Sequence, residues 1–85
     1  MPATTFTLLK SKTNIVGLKN GSDLSAAIKI MKGMAILGGT DYVNEYIDSY
    51  RDSENFVSTM AEGVEVCQIR VAELPVRVFN RVVFL

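Results

Sequence analysis

The fold is decided by residues 56–85, which read FVSTMAEGVEVCQIRVAELPVRVFNRVVFL. Runs rich in Val, Ile, Phe and Thr, separated by turn-forming residues, are typical of successive β-strands. We predict strands over Phe56–Ala61, Val64–Val71 and Val76–Leu85. Helix is the alternative for Phe56–Ala61, and we favour strand because Glu62-Gly63 then forms a turn into the next one. The last strand is apolar to its final residue, so we expect its own fold or another chain to cover it.

The preceding residues predict a hairpin. Thr4–Leu9 and Asn14–Leu18 are rich in β-branched and apolar residues, and a polar turn separates them. Asn20-Gly21 then interrupts the strand pattern, because this dipeptide favours turns.

Two helices are predicted between the hairpin and the final strands. Ser22 or Asp23 caps the first, whose apolar stripe runs from Leu24 to Gly38 and includes Leu37. Gly33 interrupts this stripe, which favours close approach of another element there. Thr40 or Asp41 caps the second helix, which is predicted to end near residues 51–53.

The resulting order β-β-α-α-β-β-β predicts the α+β class. We expect residues 1–85 to form a single domain: a small antiparallel sheet with two helices packed on one face. A domain of 85 residues buries roughly 60% of its unfolded surface, so its core is modest. A partner or self-association would therefore add to its stability.

The composition argues against most catalytic chemistry. The chain has one cysteine, Cys67, and no histidine, whereas zinc sites need several such ligands and catalytic thiols need a base. Cys67 is predicted to point from its strand into the core of the protein, where a thiol is inert. We predict a protein that is not an enzyme and that binds no cofactor and no metal.

Charge and hydropathy restrict the partners and the location. The net charge is zero, so the chain has no overall attraction for nucleic acid or anionic lipid. Locally, the first part is basic, the middle is acidic and the last part carries arginines. The sequence shows no signal peptide and no apolar stretch long enough to span a bilayer. We therefore expect no membrane partner and a location in the cytoplasm or within an intracellular or viral assembly.

Two surfaces are candidates for a protein interface. The first is the second helix, where tyrosines recur every four residues beside a stripe of carboxylates, a combination typical of interface anchors or of an ordinary solvated helix. The second is the apolar last strand, which is suited to strand addition. The candidate residues are Asp41, Tyr42, Glu45, Tyr46, Asp48, Tyr50, Val82, Phe84 and Leu85.

Nucleic-acid binding is the alternative. Arg77, Phe79 and Arg81 alternate along the predicted last strand and would share one face, where an aromatic ring stacks a base and arginines hold phosphate. Lys10 and Lys12 of the hairpin would extend this basic surface. A structural role for these side chains is the competing interpretation, because one aromatic residue is a poor stacking platform.

The leading functional hypothesis is a small non-enzymatic interaction protein. It would be a structural or accessory subunit of a larger assembly, such as a viral particle, or an inhibitor that occludes a partner. Its partner would be another protein, including copies of itself, bound through the C-terminal strand and the tyrosine-bearing acidic helix.

Overall fold

The computed structural model describes residues 2–35 and 38–85, and in this part of the chain it has five strands and three helices. The strands are β1 (Thr4–Lys10), β2 (Val16–Leu18), β3 (Phe56–Ala61), β4 (Val64–Val71) and β5 (Val83–Phe84). The helices are α1 (Leu24–Lys32), α2 (Asp41–Ser49) and α3 (Val76–Phe79). The α+β class is confirmed, as are the hairpin and the strand assignment of Phe56–Ala61.

The strands form one sheet in the order β3-β4-β1-β2-β5. All neighbours run antiparallel except β2 and β5, which are parallel, so the sheet is mixed rather than wholly antiparallel. β3 and β4 are joined by Glu62-Gly63, where both residues have positive φ, as the tightest hairpin turns require. β1 pairs with β4 along its whole length but with β2 only over Leu8–Lys10.

The central strand β1 buries both of its faces. Leu8 and Leu9 are consecutive and fully buried, and consecutive strand residues point to opposite faces. Leu8 packs in the cluster that contains α2 and α3 residues, whereas Leu9 packs in the cluster that contains α1. This corrects the expectation that both helices lie on one face: α1 covers one side of the sheet and α2 the other.

Helix α1 begins where predicted and ends earlier than the predicted apolar stripe, which runs to Gly38. The carboxylate of Asp23 accepts a hydrogen bond from the Ala26 amide at 3.0 Å, which caps the first turn. The helix ends at Lys32 with Gly33 as its cap. Gly33 is exposed, and a Cβ there would meet only helix carbonyl oxygens, the nearest at 3.7 Å. No other element approaches it within the described residues, and Leu37 of the predicted stripe lies outside them.

The predicted last strand is wrong over most of its length. Residues 76–79 form α3, and only Val83–Phe84 are a strand. Pro75 precedes the helix with φ −55°, and its carbonyl accepts from the amides of Val78 and Phe79. Leu74, Val78 and Val82 recur every four residues and are all buried in the α2 cluster. Helical spacing places these three side chains on one face, which a strand would also allow because four is a multiple of two.

The side chain of Leu85, the residue after β5, packs over β2 at Gly17, where no side chain is in the way. A Cβ on Gly17 would lie 2.9 Å from a methyl carbon of Leu85 and 3.0 Å from the sulfur of Met31. These distances are shorter than van der Waals contact, so both side chains would have to move.

We expect Gly17→Ala to lower the free energy of unfolding by about 1 kcal/mol, because overpacking typically costs roughly 1–3 kcal/mol and the lower backbone entropy of Ala in the unfolded chain offsets about 0.4–1 kcal/mol of it. Gly38→Ala is the matched control, since a Cβ on Gly38 has no neighbour within 4 Å. Urea denaturation of both variants checks this. Equal stability of Gly17→Ala and the wild type would contradict the close packing of Leu85 on β2.

Candidate protein-interaction surfaces

Two exposed phenylalanines meet where α3 and β5 come together. The rings of Phe79 and Phe84 are 5.0 Å apart with an edge-to-face inclination of 61°. Their exposed fractions are 41% and 56%, so the rings contact each other without being buried. Val76, on the same helix, is also exposed. Exposed aromatic side chains held in a fixed geometry are suited to anchoring a partner, because less rotamer freedom is lost on binding.

A groove of about 480 Å³ lies between this aromatic pair and the first half of β1. It is lined by residues 4–7, by residues 18–21, and by the rings of Phe79 and Phe84. Lys19 and Gly21 are joined by a hydrogen bond from the Lys19 ammonium to the Gly21 carbonyl, and both residues line the groove.

The edge of β1 that faces the groove is open. Pairing with β2 starts at Leu8, and the last hydrogen bond before it joins the Lys19 amide to the Thr7 carbonyl at 2.9 Å. Alternate residues of a strand direct their backbone groups to the same edge, so the amide and carbonyl of Thr5 point the same way as those of Thr7. No backbone hydrogen bond to Thr5 from that side occurs within residues 2–35 and 38–85.

The tyrosines of α2 are mostly part of the core. Tyr42, Tyr46 and Tyr50 are half-buried and pack against the cluster under α2. The rings of Tyr46 and Tyr50 are 5.1 Å apart, and the Arg77 guanidinium lies 4.2 Å from the centre of the Tyr42 ring. Burial, together with Tyr50, raises the pKa of Tyr46 above its ordinary value. The tyrosines therefore have structural contacts that use much of their surface.

The carboxylates of α2 face solvent, as predicted. Asp41, Glu45 and Asp48 are all exposed. Asp48 accepts a hydrogen bond from Nε of Arg51 at 2.7 Å, so it is also tied to the end of its own helix.

Arg51 also joins α2 to the sheet. Its two terminal nitrogens donate to the Glu65 carboxylate of β4 at 2.6 and 2.9 Å. Ser58 of β3 donates to the same carboxylate at 2.6 Å, and the Arg51 guanidinium lies 5.6 Å from the Phe56 ring centre. The hydrogen bonds from Arg51 lower the pKa of Glu65 to about 2. The sequence did not predict this network. No local pattern links Arg51 to Glu65, which lies on the second strand after it in the chain.

The C-terminal interface candidates divide into two groups. Val82 is buried in the α2 cluster and Leu85 packs against the α1 cluster, so both belong to the protein's own core. Phe84 alone of the three is exposed.

The residues of the nucleic-acid alternative do not share a face. Arg77 and Phe79 lie on α3 rather than on a strand, and Arg81 packs against Gly39. Lys10 ends β1 and Lys12 follows it, whereas Phe79 borders the groove near residues 4–7. The two ends of β1 are roughly 20 Å apart, so the five side chains form no continuous surface.

The described residues contain no cluster suited to a metal ion, and their one thiol is buried. No group of three or more His, Cys, Asp or Glu is placed to hold a metal ion within residues 2–35 and 38–85. Cys67 is fully buried, and this burial raises the pKa of its thiol to about 11. In the same part of the chain no helix has the length and apolarity needed to cross a membrane.

The open end of the sheet at β3 was missed by sequence reasoning. Val57, Ser58, Thr59 and Met60 are exposed in succession, so neither face of this strand is covered there. The available signal is that residues 56–61 contain no charge and no proline, the usual protection of an edge strand.

Comparison of the chain with protein-family models, with curated proteins and with solved structures found no match.

We expect Glu65→Gln to lower the free energy of unfolding by about 1 kcal/mol near pH 7, since charge-assisted pairs at partly exposed sites are worth about that much. The folded pKa of Glu65 lies below the ordinary value of about 4.3. The stabilisation is therefore present above about pH 4.3 and is lost as the pH falls towards 2.

Urea denaturation of wild type and variant near pH 7 and near pH 2.5 measures this difference, with exposed Glu73→Gln as the control. The gap between wild type and Glu65→Gln should shrink several-fold at the lower pH. A gap of constant size would mean that the carboxylate charge is not what stabilises the contact.

Proposed function

We propose that this chain is a small non-enzymatic interaction protein that binds an extended segment of another protein. The segment lies in the groove between β1 and the aromatic pair. The single observation that supports this most is the placement of two exposed phenylalanines, Phe79 and Phe84, beside an open strand edge. A structural or accessory subunit of a larger assembly would use such a groove to hold a neighbouring chain.

Strand addition accounts for both parts of the groove. An extended segment aligned with the first half of β1 would donate to the Thr5 carbonyl and accept from the Thr5 amide. One of its side chains would rest on the Phe79–Phe84 pair and bury apolar surface of both rings. The backbone contacts supply register and the Phe79–Phe84 pair supplies selectivity for apolar side chains.

Phe84 of the C-terminal segment stays the principal anchor, whereas strand addition moves from the last strand to the edge of β1, and the tyrosine helix becomes secondary. The tyrosine rings already contact the core and Arg77, so they have less free surface to offer. The exposed carboxylates of α2 remain a secondary surface that would favour a basic segment.

Nucleic-acid binding has no specific observation in its favour. It required Arg77, Phe79 and Arg81 on one strand face, and these residues lie on and after a helix. The absence of enzymatic activity also stays a prediction.

Peptide selection tests the proposal. Random peptides displayed on phage are selected on the purified wild type, and a selected peptide is synthesised. We expect Phe84→Asp to weaken its binding about tenfold or more, because a buried aromatic anchor is worth at least about 1.4 kcal/mol. Ile30→Asp is the matched control, since Ile30 is 51% exposed on α1, away from the groove.

Amide hydrogen exchange identifies the mode of binding. Under strand addition the Thr5 amide gains protection when the peptide is bound, and circular dichroism shows that both variants are folded. Equal affinity of Phe84→Asp and the wild type, or selection of no peptide at all, contradicts the proposed function.

A further inference from the structure

The other end of the sheet carries a second open edge, formed by β3. This strand has 6 residues, and four of them in succession are exposed, including Val57 at 56% and Met60 at 67%. It is the terminal strand of the sheet and contains no charged residue, no proline and no positive φ before Glu62. Edges of this kind pair readily with another strand.

The hydrogen-bonding pattern between β3 and β4 shows which backbone amides and carbonyls of β3 face outward. The Arg70 amide donates to the Asn55 carbonyl at 2.9 Å, so position 55 is directed at β4. Hydrogen-bonding positions alternate along an antiparallel pair, so Val57 and Thr59 also face β4. The amides and carbonyls of Ser58 and Met60 therefore point away from the sheet.

We propose that β3 pairs antiparallel with β3 of a second copy of this chain. Ser58 lies opposite Ser58 of the second copy on the two-fold axis. Phe56 then lies opposite Met60 of the second copy on the α2 face, and Val57 lies opposite Thr59 on the α1 face. The product is a continuous sheet with the five strands of each copy.

The chemistry of the strand favours its own copy as the occupant. The register pairs an aromatic ring with a thioether on one face, which is a favourable contact, and pairs Val with Thr on the other. Phe56 is held in place by the Arg51 guanidinium, so one half of each Phe–Met pair is already ordered. The same strand supplies both halves of the interface, as a closed two-fold dimer requires.

Charged residues at the ends of the paired strands make the stability of the dimer depend on salt. In this register Glu54 of one copy lies near Glu62 of the other, just beyond the strand ends. Both are exposed, so their repulsion is screened by salt. The dimer should therefore tighten as salt rises, whereas binding to nucleic acid weakens with salt.

This inference goes beyond the proposed function and does not depend on it. The groove for the extended segment lies between β1 and the Phe79–Phe84 pair, and the dimer uses the opposite end of the sheet. A dimer formed through β3 leaves both grooves free, one at each end of the joined sheet.

Sedimentation equilibrium of the purified chain tests the dimer, over roughly 1 μM to 1 mM because a single strand pair is a small interface. We expect Met60→Lys to raise the dimer dissociation constant at least tenfold, because a lysine on the edge opposes pairing. Ile30→Lys, at a similarly exposed position on α1, should leave it unchanged. A wild type that stays monomeric throughout, or a Met60→Lys that dimerises normally, overturns the proposal.

Cysteine cross-linking tests the register. Across the two-fold axis, the two residues 58 would have Cα atoms about 5.5 Å apart, within reach of a disulfide. The two residues 60 would be offset by four positions, or roughly 13 Å along the strands. Both variants are made in a Cys67→Ala background, because Cys67 lies directly opposite residue 58 in the β3–β4 pair and would offer it an intramolecular disulfide. Oxidised Ser58→Cys should then form covalent dimers and Met60→Cys should not. Preferential cross-linking through residue 60 overturns this register.

Phe84→Asp separates the two proposals. This variant should dimerise like the wild type even when it has lost peptide binding. Loss of the dimer in Phe84→Asp would place self-association at the aromatic groove and overturn the assignment to β3.

Discussion

Burial on both faces of β1 is the constraint on which the rest of the structure depends. Leu8 and Leu9 are adjacent and fully buried, so each face of the central strand needs its own cover. Helix α1 supplies one layer, and α2 with α3 supplies the other. A chain of 85 residues has little material for two layers. Both ends of the sheet therefore remain thinly covered, and the exposed residues of β3 and the aromatic groove lie at those ends.

The two open edges differ in how they are made. β3 is long, regular and uncharged, with backbone groups directed outward on alternate residues. The groove edge of β1 is short, because pairing with β2 ends at Leu18, and the Phe79–Phe84 pair lies beside it. The first suits a partner that supplies an equivalent strand, and the second suits a short segment with one apolar anchor. This difference in length and in side-chain support separates self-pairing from capture of another chain.

Local signals in the sequence predicted what depends on local interactions. The Asp23 cap, the Glu62-Gly63 turn and β4 follow from residues adjacent in the chain. The prediction for residues 76–85 was wrong because Val78 and Val82 are four residues apart, a spacing that fits both strand and helix periods. Only their packing under α2 decides between the two. The opposite placement of the helices was signalled by apolar residues on both faces of β1 and β4. Phe84 was predicted as a candidate interface residue. Val57, Met60 and Thr5 were not, because their exposure depends on which edges of the sheet have no neighbouring strand, and this is decided only by the complete fold.

The parallel pair of β2 and β5 has a kinetic consequence. It joins Gly17 to Val83 near opposite ends of the sequence, and its register covers only two residue pairs. Bringing together two segments so far apart in the chain costs conformational entropy, and a ladder of two residue pairs forms few contacts to offset that cost. β5 is then among the last elements to form and among the first to open without global unfolding. Phe84 moves with β5 while Phe79 stays on α3, so the fixed geometry of the aromatic pair belongs to the closed state, and opening of β5 separates the two rings.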